Sequence, residues 1–326
     1  MYGSKKMVNV YILNILREFS DENNAITQQE ILKRLKNDYS VVCDRRTVKA
    51  YVDEWTELGW DIVYDGGYKL IGREFDESEL RILIDSVLFS KSISTKQAQE
   101  LIDKLKGFAS TYFKSKVSHV CNLPNLNRTI NKQAMYWLDT INDAIDKQKK
   151  IRFFYNEMGT DFKLHLKRDD PYIVNPYQIV ANNGRFYLIG NVDQYDNIIH
   201  FHLDKMTDVE CLDEPRKSKK KIPELANGLN LPKHMAEHIY MFSGESVWAE
   251  IKTTPDMMWA LTDWFETNFL ITEESDESIV VLLKCNYSAL RHWVLQYGPY
   301  VEIMSPLTLR DQIKIDVQGM LEKYKE

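Results

Sequence analysis

The chain has 326 residues, 44% of them apolar and 28% charged, a globular composition with material for two or three cores and too apolar for a disordered chain. Its formal charge of −6, from 42 Lys and Arg against 48 Asp and Glu, excludes a protein that coats nucleic acid by bulk positive charge. Cys43, Cys121, Cys211 and Cys285 lack CxxC spacing, and no apolar run nears the roughly 20 residues of a membrane span, so a soluble, cytoplasmic protein with reduced core thiols is expected.

The charge is unevenly spread. Residues 1–73 are net zero, 74–230 are net +1 and 231–326 are net −7. Residues 147–168 are locally basic, and Arg216-Lys217-Ser218-Lys219-Lys220-Lys221 reads first as a solvated basic linker over 216–232.

Val8, Ile12, Ile15, Leu16 and Phe19 recur at helical spacing and predict a first helix of about three turns. Thr27-Gln28-Gln29-Glu30 has the form of a capping box and opens a second helix with Ile31, Leu32 and Leu35 on its buried stripe. After a turn of seven or eight residues, Asp44 is the expected N-cap of a third helix. That helix carries Val48, Tyr51, Val52, Trp55 and Leu58 on one face and ends at Gly59. Trp60–Leu70 alternates around Gly66-Gly67, the pattern of a small hairpin.

Three helices followed by a hairpin is the plan of a winged helix-turn-helix over 1–73. The first turn of the third helix bears Arg45, Arg46 and Thr47, with Lys49 just beyond, opposite an apolar back, which is how a recognition helix presents forked donors to bases and phosphates. Two arginines at a helix N-terminus work against the helix dipole, so function rather than stability explains them. Thr27 and Gln28 are placed to give neutral hydrogen bonds to phosphates, and Tyr68 and Lys69 are candidates to lie along a groove. The segment resembles the DeoR-type winged helices in its Arg-Arg-Thr-Val helix start and Gly-Tyr hairpin end.

Residues 74–127 read as a helical connector. Asp76-Glu77-Ser78-Glu79 caps a helix with Leu80, Leu83, Ile84, Val87 and Leu88 on one face; a second, from about Ser94, aligns Ala98, Leu101, Ile102, Leu105 and Phe108. These stripes could pack on each other, on neighbouring domains or across a homodimer whose two reading heads would sit one DNA turn apart. A third amphipathic helix through Met135, Leu138, Ile141 and Ile145 leads into the next domain, over 128–215.

From Ile151 the period becomes that of strands. Ile151–Tyr155, Phe162–Leu166, Pro176–Val180, Arg185–Asn191 and Ile198–Leu203 make five short antiparallel strands, with Asn182-Asn183-Gly184 a hairpin turn. After a helix, these predict a small β-barrel or a strongly bent sheet. On one strand face, His200 and His202 are compatible with an anion pocket, a metal pair or a structural role; no carboxylate or Cys completes a metal site at recognisable spacing.

Asn175-Pro176-Tyr177, Gly184–Gly190 and His200–Met206 resemble the WYL domain, an Sm-like small β-barrel in which Phe186-Tyr187-Leu188 stands for the Trp-Tyr-Leu triplet. WYL regulators join this domain to a winged helix and act as ligand-responsive transcription factors. The resemblance implies a nucleotide or single-stranded nucleic acid as effector, with Tyr155, Lys167, Arg168, Tyr187, His200, His202 and Lys205 as ligand-binding candidates. His202 and Lys205 stand where the family pattern has arginines, so an anion is expected to be gripped less rigidly, and more tightly at lower pH.

Over 233–326, Thr254-Pro255 starts a helix cored by Met257, Met258, Leu261, Trp264 and Phe265. Strands over 247–252, 269–272 and 279–285 flank it, followed by a helix over 288–297, a strand over 301–304 and a last helix. The order βαββαβ is ferredoxin-like. Arg291-His292-Trp293, Tyr297-Gly298-Pro299 and Pro306–Arg310 resemble the C-terminal extension of WYL regulators, which implies a role in dimerisation. His234-Met235-Ala236-Glu237-His238 matches the HxxEH zinc-protease pattern without a third-ligand helix, making a zinc-dependent hydrolase a remote alternative.

The sequence thus predicts a multidomain α+β chain with three folded domains. Its expected function is that of a homodimeric operator-binding transcription regulator modulated by an anionic effector, with no cofactor, metal or catalytic residues. A protein whose middle domain only scaffolds oligomerisation is the alternative.

Overall fold

In the computed structural model, which describes residues 4–117, 129 and 131–325, the chain divides into two compact units, Met1–Ile130 and Asn131–Glu326. The first begins with α1 (Val8–Phe19), α2 (Gln28–Tyr39) and α3 (Arg45–Glu57), then a hairpin of β1 (Ile62–Tyr64) and β2 (Tyr68–Leu70). The apolar stripes meet as their spacing requires: Ile12, Ile15 and Leu16 of α1, Ile31 and Leu35 of α2, Val48 and Val52 of α3 and Leu70 of β2 share one core. The Thr27 hydroxyl caps α2 by accepting from the Glu30 N–H at 3.2 Å, but Glu30 turns to Arg34 instead of reaching back, so the expected capping box is half made. Helix α2 runs on to Tyr39 and Ser40 adopts φ 57°, which shortens the turn before α3 to Ser40–Asp44. At Gly67 a Cβ would meet the Ile26 carbonyl oxygen at 2.7 Å, so glycine lets the hairpin pair with Ile26 through Tyr68.

The connector forms α4 (Glu77–Phe89), α5 (Thr95–Lys106) and α6 (Thr111–Lys116). Asp76 and Glu79 make a full capping box on α4, as Ser94 and Gln97 do on α5. Their stripes pack on each other: Leu80, Ile84, Leu88, Ile102, Phe113 and Val117 form a separate core. The Ser110 hydroxyl donates to Asp21 at 2.8 Å and Thr111 to the Glu18 carbonyl at 3.0 Å, tying this core to the α1 end of the same unit.

The second unit opens with α7 (Ala134–Asp146) and six strands, β3 (Lys149–Met158), β4 (Leu164–Leu166), β5 (Tyr172–Asn182), β6 (Arg185–Asn191), β7 (Ile199–His202) and β8 (Met206–Pro215). The antiparallel order is β4-β3-β5-β6-β7, with β8 also on β3. Strand β8 was not expected, because only Met206 and Val209 of it reach the core amid Asp208, Glu210, Asp213 and Glu214. Phe162, expected to open the second strand, sits instead at φ 59° in the turn before β4 and is 81% exposed. Register shifts in β3 and β5 bend the sheet into a half-barrel over Phe153, Val174, Leu188, Phe201 and Met206, capped by Ile141 and Ala144 of α7. Among the described residues β7 and β8 do not pair, so the barrel stays open. Asn183 and Gly184 turn at φ 49° and 74°, as their sequence demands.

The basic run is not wholly solvated. Arg216 donates to the Pro176 carbonyl and covers the Tyr177 ring, and the Lys217 ammonium meets Asp196 at 3.0 Å. Nor are all thiols in the core: Cys285 is buried and Cys43 partly so, whereas Cys211 is exposed on the polar β8, and Cys121 lies outside the described residues.

Helix α8 (Leu231–Glu237) precedes β9 (Ser246–Thr253), α9 (Met258–Phe265), β10 (Phe269–Glu274), β11 (Ile279–Asn286), α10 (Tyr287–Gln296), β12 (Val301–Ser305) and α11 (Leu307–Glu322). A short 3-10 turn, Pro255–Met257, stands between Thr254 and α9. The antiparallel sheet has the order β10-β11-β9-β12, and its apolar face (Ile251, Val281, Leu283) packs on Leu261 and Phe265 of α9 and Trp293 of α10. Among the described residues no helix is long and apolar enough to cross a membrane.

Candidate functional site

Two groups of polar residues stand out, one in each unit. At the start of α3, the Asp44 carboxylate accepts from the Thr47 N–H at 2.8 Å and fixes the first turn. Arg45, Arg46 and Lys49 are exposed there, while Val48 and Val52 anchor the opposite face in the core. The other four DNA-contact candidates are already engaged. The Thr27 hydroxyl caps α2, and the Gln28 amide donates to the Tyr68 hydroxyl at 2.8 Å. Tyr68 is buried, and the Lys69 ammonium pairs with Asp65 at 2.8 Å.

In the half-barrel, the β6–β7 register sets Tyr187 opposite His202 and Ile189 opposite His200, so both histidines face away from the Phe153–Phe201 core. The ring of Tyr187 lies 4.4 Å from that of His202. Arg185, two residues before Tyr187 and therefore on the same strand face, makes an ion pair with the buried Asp204. His202 Nδ1 is 3.7 Å from Asp204 Oδ1, and neither atom has a hydrogen-bond partner. Tyr155 approaches from β3, its hydroxyl accepting from the His202 N–H at 3.1 Å.

Burial, then the charges of Lys205 and Arg185, pushes the His202 imidazole down to about 4, so it is neutral at pH 7. Burial raises the Asp204 carboxyl against the pull of Arg185, and raises both the Tyr155 and Tyr187 phenols. A guanidinium, an ammonium, a proton-accepting imidazole and an aromatic face thus stand together, and this set suits a planar or phosphate-bearing anion.

The remaining candidates lie elsewhere. The Lys167 ammonium, just past the end of β4, pairs with Glu157 of β3 at 2.7 Å, and Arg168 stacks 3.5 Å from the Tyr172 ring centroid while donating to the Asp170 and Pro171 carbonyls. His200 joins His234 and His238 of the HxxEH segment instead, its Nε2 2.9 Å from His234 Nε2. The Glu237 carboxylate is engaged by the Lys284 ammonium at 3.2 Å. Among the described residues no three or more His, Cys, Asp and Glu are grouped to hold a metal ion. Arg185 and Asp204 are the site residues that sequence reasoning passed over. The alternation Arg185-Phe186-Tyr187 was the signal for the first, because it places Arg185 on the face of Tyr187.

Comparison with known proteins agrees with this partition of the second unit. A WYL domain matches residues 136–211, which cover α7 and most of the half-barrel, and a WCX domain matches residues 245–321, which cover the four-stranded sheet and its helices. No curated protein matches the chain. Among solved structures, the chain is similar to proteasome accessory factor B/C (PafBC) of Arthrobacter aurescens, at 14% identity and a TM-score of 0.30. All of this chain is covered but only 50% of that one, so it spans half the length of that protein. It is also similar to a CRISPR Cas-related protein at 11% identity and a TM-score of 0.36, over 98% of this chain and 81% of that one.

Proposed function

We propose that the chain is a non-enzymatic, sequence-specific DNA-binding transcription regulator, active as a cytoplasmic homodimer, whose operator affinity responds to an anionic effector on its WYL domain. Residues 1–73 act as a winged helix-turn-helix of DeoR type, and the WCX domain as a ferredoxin-like dimerisation module; the strand order β10-β11-β9-β12 supports the ferredoxin-like fold alone. The observation that carries the DNA reading is the exposed Arg45, Arg46 and Lys49 on a capped helix start whose opposite face is core. Thr47 joins them on the same turn, and Thr27, Gln28, Tyr68 and Lys69 are the further candidates of this reading. Of the effector-binding candidates, Tyr155, Tyr187, His202 and Lys205 stand with Arg185, while Lys167 and Arg168 sit on the β4 side and His200 in the histidine cluster with His234.

Selection of bound sites from random duplex DNA tests the reading. Enrichment of an inverted repeat supports a dimeric reader of two half-sites. Enrichment of no sequence would overturn it.

A further inference from the structure

His200 of β7, His234 of α8 and His238 at the C-terminal end of α8 are 7%, 8% and 5% exposed, with ring centroids 4.4–5.1 Å apart. His238 Nδ1 donates to the Phe242 carbonyl at 3.0 Å, which fixes its tautomer. His200 Nδ1 is buried without a hydrogen-bond partner. Neutral imidazoles make the His200–His234 contact with one Nε2 carrying the proton and donating to the other. The 5.1 Å between these two ring centroids is close to the largest that a 2.9 Å N···N contact allows. The nitrogens therefore face head-on, as in a hydrogen bond, and their lone pairs do not converge on a common metal position.

We propose that this cluster is a proton-released latch: three neutral imidazoles hold α8 against strand β7, and acidification frees α8 from that strand. On the half-barrel side the apolar hold is modest, consisting of Leu229, Leu231, Met235 and Met241 against Tyr177, Val180 and Ile189, whereas Ile239, Tyr240 and Phe242 pack on the core of the four-stranded sheet and stay anchored there. Three imidazolium charges cannot share this volume. Burial, then the neighbouring imidazoles, pushes His200 down to about 2 and His234 down to about 3, and burial lowers His238 as well. The facing groups are His202 of β7, Lys233 and Glu237 of α8, Lys284 of β11 and Glu224 of the preceding segment. Burial raises the Glu224 carboxyl, so that group binds its proton more readily in the closed form and partly offsets the histidines at the acid end.

The sign follows from the direction of these shifts. Each histidine is depressed in the closed form and returns toward about 6.5 when freed. Closure is therefore fully favoured above about pH 6.5 and weakens as pH falls below it. Up to three protons are taken up on opening, changing the open fraction by as much as about a thousandfold per pH unit.

Hydrogen exchange on the full chain, corrected for the intrinsic pH dependence, tests the latch. Protection of amides 231–238 is expected to fall at least about tenfold between pH 7.5 and 5.5, while β9 and β11 keep theirs; the double variant His200→Gln, His234→Gln should lose most of that dependence. Equal protection at both pH values, or an unchanged slope in the variant, would overturn the proposal. Should the variant fail to fold, histidine NMR of the wild type decides. Three imidazoles that stay neutral until the segment opens support the latch, and three that titrate independently near 6.5 contradict it. Stoichiometric zinc binding that broadens the same three resonances would contradict it too.

Discussion

The Tyr187 ring lies 4.4 Å from the His202 imidazole, and burial beside Arg185 and Lys205 keeps that imidazole neutral. An anion bound beside Arg185 and Lys205, as proposed, would change the balance by repaying the cost of a proton on His202. If the bound imidazole returns to its ordinary value of about 6.5 from about 4, affinity for a short oligonucleotide, whose phosphodiesters do not titrate in this range, should rise about tenfold from pH 7.5 to 5.5. Calorimetric titration at both pH values, in buffers of different ionisation heat, checks the gain and the proton uptake.

The exposed arginines of α3 make the second prediction. Arg45→Ala or Arg46→Ala should weaken operator binding by ~1–3 kcal/mol if the side chain reads a base, with specificity relaxed at that position. Lys49→Ala should instead weaken all sequences alike and reduce the salt slope by about one. Binding titrations across sodium chloride concentrations separate the two behaviours.

The buried ion pair of Arg185 with Asp204 bears on stability. Arg185→Ala strands a carboxylate that is 7% exposed, and a cost of roughly 3–5 kcal/mol is expected, reduced toward the low end because Arg185 itself is partly exposed. The double variant Arg185→Met, Asp204→Leu should recover most of it. Urea unfolding of the three proteins measures the difference.

Within the first unit, Ile84 is fully buried among Leu80, Ile102 and Phe113. Ile84→Ala should destabilise that unit by ~2–5 kcal/mol, through lost transfer free energy and the cavity left behind. Differential scanning calorimetry should show one transition lowered and another unmoved if the two units unfold separately.

Elements with a strong local signature were legible in the sequence. The caps at Asp44, Asp76 and Ser94, the Asn183-Gly184 turn and the apolar stripes of α1 to α5 depend on neighbours a few residues away. Strand β8 was not legible, because its pairing to β3 is long-range and it buries few apolar side chains. The candidate site was legible in part. Tyr187 and His202 come together through a register that the hairpin dictates, whereas Arg185 required the partner Asp204 to reveal it. His200 was grouped with His202 because they share a strand face. What decides its surroundings is α8, some thirty residues on, and no periodicity reports that contact.

The coupling of effector to operator is tested most directly by one titration: operator affinity of the full chain against increasing short single-stranded oligonucleotide, for wild type and for the variant Tyr187→Ala, His202→Ala. A wild-type affinity that shifts with saturation, and a variant that binds operator equally well without effector but no longer responds, is the expected result. An operator affinity that stays constant while the oligonucleotide demonstrably occupies the WYL domain would contradict it.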